Sequence, residues 1–230
     1  MKIALITGGN GKLGKSYIKT LTNNGYFVYS IDIRHSKNKV ENVKKIIVDI
    51  TDEKEIGEFF KNIKYIDLLI NNAGIGVFTP TQKRSIDEFR KVLNVNLVGT
   101  FIMSQFALKK MVKQKKGKII NIGSVYGIKS SDPRIYGNSG RNNSEVYSAS
   151  KAGVIMLTKY LASHYARYNI QINSISPGGI LNNQDKKFQI NYSNKTPAGR
   201  MASTYDMQSV LEMLISKKSD YINGSNIVID

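Results

Sequence analysis

Tyr147 and Lys151 are the residues of this chain whose types and spacing suit proton chemistry. Side chains four residues apart share one face of a helix, and an ammonium beside a phenol favours loss of the phenol proton. The pair therefore predicts a tyrosine general acid or base. The same spacing occurs by chance on many helix surfaces, so the surrounding elements must decide between a catalytic and a structural role.

The composition predicts one globular domain spanning residues 1–230, because 41% of the residues are hydrophobic and no stretch resembles a linker. There is no cysteine, and the two histidines, His35 and His164, stand far apart. We therefore expect no metal site. No apolar run is long enough for a signal peptide or a membrane span, so we expect a cytoplasmic protein without membrane contact.

The charge is strongly positive, with 34 Lys and Arg against 17 Asp and Glu, a formal net charge of +17. Such a surface can attract nucleic acid or an anionic substrate. The lysines are spread along the chain and no nucleic-acid recognition motif accompanies them. We expect no nucleic-acid partner and keep attraction of an anionic small molecule as an alternative.

A glycine-rich turn follows the first predicted strand, Lys2 to Ile6, and leads into residues with helical spacing. In this context glycines let the backbone approach the pyrophosphate of a dinucleotide at the helix N-terminus. A second strand ending in an acidic residue completes a nucleotide-binding unit. The candidate cofactor residues of the turn are Thr7, Gly8, Asn10, Gly11, Lys12, Leu13 and Gly14.

Asp32 ends that second strand, where a carboxylate can accept hydrogen bonds from the adenosine ribose and repel the 2′-phosphate of NADP. NAD is therefore the preferred cofactor. Arg34 and Lys12 stand close by and could bind that phosphate, so NADP remains an alternative. An aspartate at a strand end is also a common turn or helix-cap residue.

Three further predicted strands end in small or polar residues: Asn71-Asn72-Ala73-Gly74, Gly123-Ser124 and Ser176-Pro177-Gly178-Gly179. In an open parallel sheet these carboxyl ends lie at the edge where ligands bind. The Asn71-Asn72-Ala73-Gly74 stretch alone could equally be a turn that needs Asn and Gly for backbone reasons. Together the three strand ends predict a ligand site at one edge of the sheet.

The periodicity predicts a long amphipathic helix from Ser85 to about Met111, a helix carrying Tyr147 to about Tyr168, and a polar loop at 129–145. Residues 182–200 are polar and predict a mobile lid. Asn96 falls inside the first helix. It either faces solvent or bends the helix and holds a water.

In chain order, these motifs resemble the short-chain dehydrogenase/reductase family, classical type, over nearly the whole chain. The resemblance implies an α/β single-domain Rossmann fold, a doubly wound parallel sheet flanked by helices, and an NAD(P)-dependent enzyme. It implies that Tyr147 transfers a proton, Lys151 holds the nicotinamide ribose, Ser124 orients the substrate oxygen and Asn96 supports a proton-carrying water. It also implies a homodimer or homotetramer, and cofactor contacts at Asp49, Ile50, Asn72, Ala73, Gly74, Tyr147, Lys151, Pro177, Gly178 and Ile180.

Three features depart from the family pattern. Gly11 stands one place before the usual middle glycine, as in the extended, sugar-nucleotide branch, and Asn182 replaces the usual threonine. Ser124 and Tyr147 stand 23 positions apart, which implies an insertion at 129–145 beside the substrate pocket. The insertion is either a solvated loop or a binding loop for a polar or anionic substrate. The candidate substrate residues are Ser124, Tyr126, Asp132, Arg134, Tyr136, Asn138 and Arg141.

Three functions follow from these observations. The preferred hypothesis is a dehydrogenase acting on a sugar or sugar-nucleotide in surface-glycan biosynthesis, as in similar flagellin-glycan oxidoreductases. The alternative enzyme is a 3-oxoacyl carrier-protein reductase, whose acidic partner would suit a basic surface. The alternative of another class is a non-catalytic dinucleotide-binding sensor, although a sensor would not need the tyrosine proton donor.

Overall fold

Seven parallel strands form the centre of the computed structural model, which describes residues 1–139 and 142–230. Their spatial order is β3-β2-β1-β4-β5-β6-β7, so the chain winds outwards from β1 in both directions. This doubly wound parallel sheet confirms the predicted fold class. The strands are β1 (Lys2–Thr7), β2 (Tyr26–Asp32), β3 (Val43–Ile47), β4 (Leu68–Asn71), β5 (Gly117–Ile122), β6 (Ile170–Pro177) and β7 (Asn226–Ile229).

Helices cover both faces of the sheet, because the central strands bury apolar side chains on each side. Leu5 of β1 joins one core, and its neighbours Ala4 and Ile6 join the other. The helices are α1 (Lys12–Asn23), α2 (Glu53–Lys61), α3 (Ile86–Leu93), α4 (Gly99–Gln114), α5 (Glu145–Tyr165), α6 (Lys186–Ser193) and α7 (Gln208–Ile215). Helices α2, α4 and α5 pack in the first core, and α1 and α7 pack in the second. Within the described residues, no helix has the length and hydropathy needed to span a membrane.

The helix predicted from Ser85 to about Met111 is interrupted by a π-helical turn, Asn94–Val98, between α3 and α4. Asn96 lies in this turn and is fully buried, so the solvent-facing alternative is wrong. A buried amide must be hydrogen-bonded, and a widened turn gives its side chain partners outside the helix.

The two polar segments of the sequence contain more regular structure than predicted. A 3₁₀ turn, Pro133–Tyr136, lies within the 129–145 loop, and α6 lies within the 182–200 segment. Helix α6 begins after Asp185, whose carboxylate accepts a hydrogen bond of 2.8 Å from the Phe188 backbone N–H. Its stability depends on packing against the 129–145 loop, which the sequence pattern of either segment alone does not show. The mobility of the lid stays a prediction.

Candidate active site

A cleft of about 780 Å³ runs along the carboxyl ends of β1, β2, β4, β5 and β6. The turns that follow these strands meet there, as expected for a parallel sheet. Most of the predicted cofactor residues line this cleft. They are Gly8, Asn10, Gly11, Lys12, Leu13, Gly14, Asp32, Arg34, Asp49, Ile50, Asn72, Ala73, Gly74, Tyr147, Lys151, Pro177, Gly178 and Ile180.

The glycine-rich turn leaves the N-terminus of α1 open to the cleft. No side chain caps the helix at Gly11, and its first turn contains no acidic residue. Gly8 has a φ of +64°, and a Cβ there would lie 2.8 Å from the Ala73 Cα. A Cβ at Gly14 would lie 2.3 Å from the Gly8 carbonyl oxygen. Only glycine permits this close approach, and the exposed N–H groups suit an anionic group.

Thr7 lies beneath the cleft rather than in its lining. Its hydroxyl oxygen accepts hydrogen bonds of 3.0 Å from the backbone N–H groups of Asn72 and Ala73. The Asn72 side-chain amide donates in turn to the carbonyls of Thr7 and Gly8, also at 3.0 Å. The turns after β1 and β4 are thereby fixed to each other.

Asp32 points into the cleft from the end of β2. Its carboxylate accepts hydrogen bonds from the backbone N–H groups of Asn10 at 2.9 Å and Arg34 at 3.3 Å. The ammonium group of Lys12 donates to the Leu181 carbonyl, across the cleft. In this conformation Lys12 links the glycine-rich turn to the segment after β6.

Tyr147, Ser124 and Lys151 converge where the cleft meets a second cavity. The Ser124 hydroxyl is hydrogen-bonded to the Tyr147 phenol. The Lys151 ammonium lies 5.8 Å from the centroid of the Tyr147 ring and donates to the Ile122 carbonyl at 2.6 Å. Tyr147 belongs to the first turn of α5, where the Ser144 hydroxyl accepts a hydrogen bond from its backbone N–H. The oxygen of an alcohol or ketone placed here would lie beside both the Tyr147 phenol and the Ser124 hydroxyl.

Asn96 joins the turn after β4 to α5. Its side-chain oxygen accepts from the Ile75 N–H at 2.8 Å, and its amide donates to the Ile75 carbonyl and the Ser150 hydroxyl at 3.0 Å. Direct protein contacts therefore occupy this amide. Asn96 and Lys151 both border Gly74, since a Cβ there would lie 3.4 Å from both Asn96 Oδ1 and Lys151 Nζ.

The second cavity, of about 320 Å³, extends from Ser124 and Tyr147 away from the cofactor-side cleft. Its lining combines aromatic rings with hydroxyl, amide and carboxylate groups, and the described lining contains no lysine or arginine. The lining residues are Gly76, Val77, Phe78, Ser124, Val125, Tyr126, Tyr136, Ser139, Asn143, Tyr147, Gly178, Gly179, Gln184, Asp185 and Phe188.

Comparison with known proteins identifies the family. The family model for short chain dehydrogenases matches residues 2–192. The chain belongs to the short-chain dehydrogenase family. A short-chain dehydrogenase from Leptospira borgpetersenii, solved with bound NAD⁺, is 42% identical with a TM-score of 0.95, over 100% of this chain and 91% of that one.

Two curated relatives carry different activities. A 2-dehydro-3-deoxy-D-gluconate 5-dehydrogenase from Formosa agariphila is 32% identical over 100% of this chain and 91% of its own. A 3-oxoacyl-(acyl-carrier-protein) reductase from Thermotoga maritima is 33% identical over 100% and 96%, respectively. The chain is therefore an oxidoreductase of this family, and relatives at similar identity differ in substrate.

Burial changes the acid–base properties of the central pair in this short-chain dehydrogenase. It raises the pKa of the Tyr147 phenol, and the hydrogen bond from Ser124 opposes that rise only in part. Burial also lowers the pKa of the Lys151 ammonium to about 8. The sequence suggested that Lys151 would ease proton loss from Tyr147. In the structure burial has the largest influence on the Tyr147 phenol, and the role of Lys151 in easing proton loss stays a prediction.

The predicted substrate residues divide between the cavity and the surface. Ser124, Tyr126 and Tyr136 line the cavity. Arg134 does not: its guanidinium forms an ion pair of 2.7 Å with Asp132, and its side chain is 77% exposed. This local pairing satisfies the arginine away from the cavity. Arg141 lies outside the described residues.

Several lining residues escaped the sequence reading. Phe78, Asp185 and Phe188 line the cavity, and Lys91 and Val95 line the cleft. None belongs to a recognisable motif, and each reaches the site through tertiary packing. The one available signal was Asp185, three residues before Phe188, which is a typical helix-start pattern. Within the described residues, no group of three or more His, Cys, Asp or Glu side chains could hold a metal ion.

The lowered pKa of Lys151 predicts a pH-dependent stability. The native lysine loses its proton near pH 8, whereas an unfolded lysine does so near 10.4, so the unfolded state binds more protons between these values. From pH 8 to pH 10 the unfolding free energy should rise relative to Lys151→Met, by roughly 1–2 kcal/mol. Urea unfolding of both proteins measures the difference, and a constant difference across this range would contradict the prediction.

Proposed function

We propose that this chain is a cytoplasmic, NAD(P)-dependent dehydrogenase that exchanges a hydride with a secondary alcohol or ketone of a polar small molecule. The observation that carries the proposal is the position of Ser124 and Tyr147, which line both the cofactor-side cleft and the second cavity. Groups shared by two adjoining cavities can contact a cofactor and a substrate at once.

The cleft fits a dinucleotide. An open helix N-terminus suits a pyrophosphate, and the Asp32 carboxylate stands where ribose hydroxyls would donate to it. When bound, a nicotinamide dinucleotide supplies the hydride acceptor for oxidation or the hydride donor for reduction. Lys151, whose ammonium borders Gly74 in the cleft, would hold the nicotinamide ribose.

Tyr147 is the proposed proton donor or acceptor at the substrate oxygen. In reduction its neutral phenol gives a proton to the developing alkoxide, and in oxidation it must first be a phenolate. Its raised pKa favours the neutral phenol at pH 7. Ser124 orients the substrate oxygen beside it. Asn96 holds the surrounding backbone, and its proposed part in carrying the proton onwards would need a water bound to its partners.

Our preferred substrate is a polyhydroxylated compound, a sugar or sugar-nucleotide in surface-glycan biosynthesis. The cavity lining supports a polyhydroxylated substrate, because tyrosine, serine, asparagine and glutamine side chains can donate and accept hydrogen bonds with hydroxyl groups. The absence of Lys and Arg from its described lining favours a neutral reacting group over an anionic one. The glycan setting rests on the glycine pattern of residues 7–14, the polar insertion at 129–145 and the basic charge of the chain.

A 3-oxoacyl carrier-protein reductase is the second candidate. The Thermotoga maritima relative has this activity, and a net charge of +17 would attract an acidic carrier protein. Assays with acetoacetyl-coenzyme A on one side and with sugars and sugar acids on the other distinguish the two candidates. Turnover of the thioester alone would favour the reductase.

Replacing Tyr147 by Phe tests the proton-transfer role. Because general acid–base catalysis contributes about 10²–10⁴ in rate, turnover should fall by about that factor, while NADH affinity stays within about threefold. NADH absorbance measures the first and fluorescence titration the second. Tyr221→Phe, at a fully exposed tyrosine, is the matched control. Full activity of Tyr147→Phe on a verified substrate would refute the assignment.

Asp32 tests the choice of cofactor. A carboxylate beside the 2′-phosphate of NADPH should make NADH the tighter ligand. Asp32→Ala should reduce the ratio of the NADPH to the NADH dissociation constant by about tenfold. Asp87→Ala, at a side chain 93% exposed on α3, should leave it unchanged. Equal affinities for NADH and NADPH in the wild type, or tighter binding of NADPH, would show that Arg34 and Lys12 attract the 2′-phosphate more strongly than Asp32 repels it.

We also propose a homodimer or homotetramer that pairs through α4 and α5. Both helices expose large apolar side chains on their outer surfaces, including Phe101 on α4 and Met156 and Tyr160 on α5. Neighbouring exposed apolar side chains of this kind mark protein–protein contacts.

Changing both Phe101 and Met156 to Glu should dissociate the oligomer, because each buried carboxylate would lose its hydration. Sedimentation velocity should then show monomers. Ile190→Glu, at an equally exposed isoleucine of α6, serves as the control. A monomeric wild type, or an unchanged double variant, would overturn this pairing.

A further inference from the structure

The 3₁₀ turn Pro133–Tyr136 packs directly against α6. Ile135 is 3% exposed and forms a small apolar core with Tyr192 of α6 and Met201. The rings of Tyr136 and Phe188 pack against the same core. This core is separate from the two cores that flank the sheet, so it joins the 129–145 insertion to the segment after β6 and to little else.

Polar contacts reinforce this junction. Asp132 accepts hydrogen bonds from both Arg134 and Lys195, the latter at 2.6 Å. The Asn191 amide donates to the Ile135 carbonyl at 3.3 Å. Exposed ion pairs contribute little free energy, so the burial of Ile135 provides most of the attachment.

The junction also forms part of the substrate cavity. The rings of Tyr136 and Phe188 lie 5.3 Å apart, and both line the cavity that contains Ser124 and Tyr147. The Tyr136 phenol is hydrogen-bonded to that of Tyr126, another lining residue. These contacts hold Tyr136 and Phe188 together as one aromatic wall of the cavity. At about 320 Å³ the cavity stands near the lower end of ordinary ligand pockets, so the wall limits substrate size.

We infer that the segment 132–136 determines which substrates are accepted: Tyr136 restricts the length of the substrate, and Ile135 positions Tyr136 and α6. The inference deepens the proposed function and rests on it. Of the proposed substrates it favours a free sugar over a sugar-nucleotide or an acyl chain, because both of these extend further beyond the reacting carbon. Ile135 is a positioning residue, since it does not itself line the cavity.

Hydrogen exchange tests the positioning role without requiring turnover. Ile135→Ala removes the central side chain of the junction, so amide exchange within residues 186–193 should accelerate by about tenfold while α1 and the sheet stay unchanged. Ile86→Ala makes the same chemical change at an exposed position of α3, outside the measured segment, and should leave exchange in residues 186–193 unchanged. Unchanged exchange in α6, or an equal increase throughout the chain, would overturn the positioning role.

A series of 1,2-diketones of increasing chain length, reduced with NADH, tests the size limit. The wild type should prefer the short probes, and Tyr136→Ala should raise kcat/KM for the long probes relative to the short ones by about tenfold. Ile135→Ala should raise KM for the short probes more than it lowers kcat. An unchanged length preference in Tyr136→Ala would overturn the size limit. Absence of turnover by the wild type on every carbonyl and alcohol tested would count against the proposed function, and the exchange result would still decide the role of Ile135.

Discussion

One buried amide, that of Asn96, fixes the turn after β4 to helix α5. It bonds to both backbone groups of Ile75 and to the Ser150 hydroxyl. Ile75 belongs to the turn that lines the cleft, and Ser150 precedes Lys151 on α5. A buried amide that lost these partners would carry a desolvation cost, so the arrangement is strongly favoured over alternatives. The π-helical turn is the local distortion that lets a helical residue reach both neighbours.

The position of α5 has a second constraint, which comes from the strand side. Lys151 donates to the Ile122 carbonyl at the end of β5, and a Cβ at Gly127 would lie 2.7 Å from the Lys151 carbonyl carbon. The turn after β5 therefore touches the helix backbone itself. Ser124 and Tyr147 meet because β5 and α5 are fixed at both of these points, despite the long insertion between them.

The sequence predicted the parts of this protein whose signal is local. Near-continuous apolar runs such as Ile66–Ile70 indicate buried strands, and glycines after a strand indicate a close turn. Helix α6 was missed because it has one buried residue, Tyr192, whose packing partner Ile135 lies far away in the chain. The sequence leaves Arg134 between a substrate role and a solvated loop, and in the structure Asp132, two residues earlier, pairs with it. The raised pKa of Tyr147 has no local signal in the sequence, because the burial of a side chain is set by distant segments.

The features that the sequence does not predict lie mainly in segments that contact each other only in the folded chain, and these segments also form the walls of the substrate cavity. The residues proposed to bind the cofactor and to transfer the proton lie mainly on the turns after the strands and on the first two turns of α5. Relatives at similar identity differ in substrate, so these residues say little about which substrate is used. The walls of the cavity come instead from Tyr136 and Phe188, on two segments that stabilise each other away from the sheet. Side chains of this small separate core can be replaced without disturbing the contacts between β5 and α5, because other residues make those contacts. We therefore expect substrate choice in this chain to be separable from catalysis, because Tyr136 and Phe188 can change while the contacts between β5 and α5 are kept.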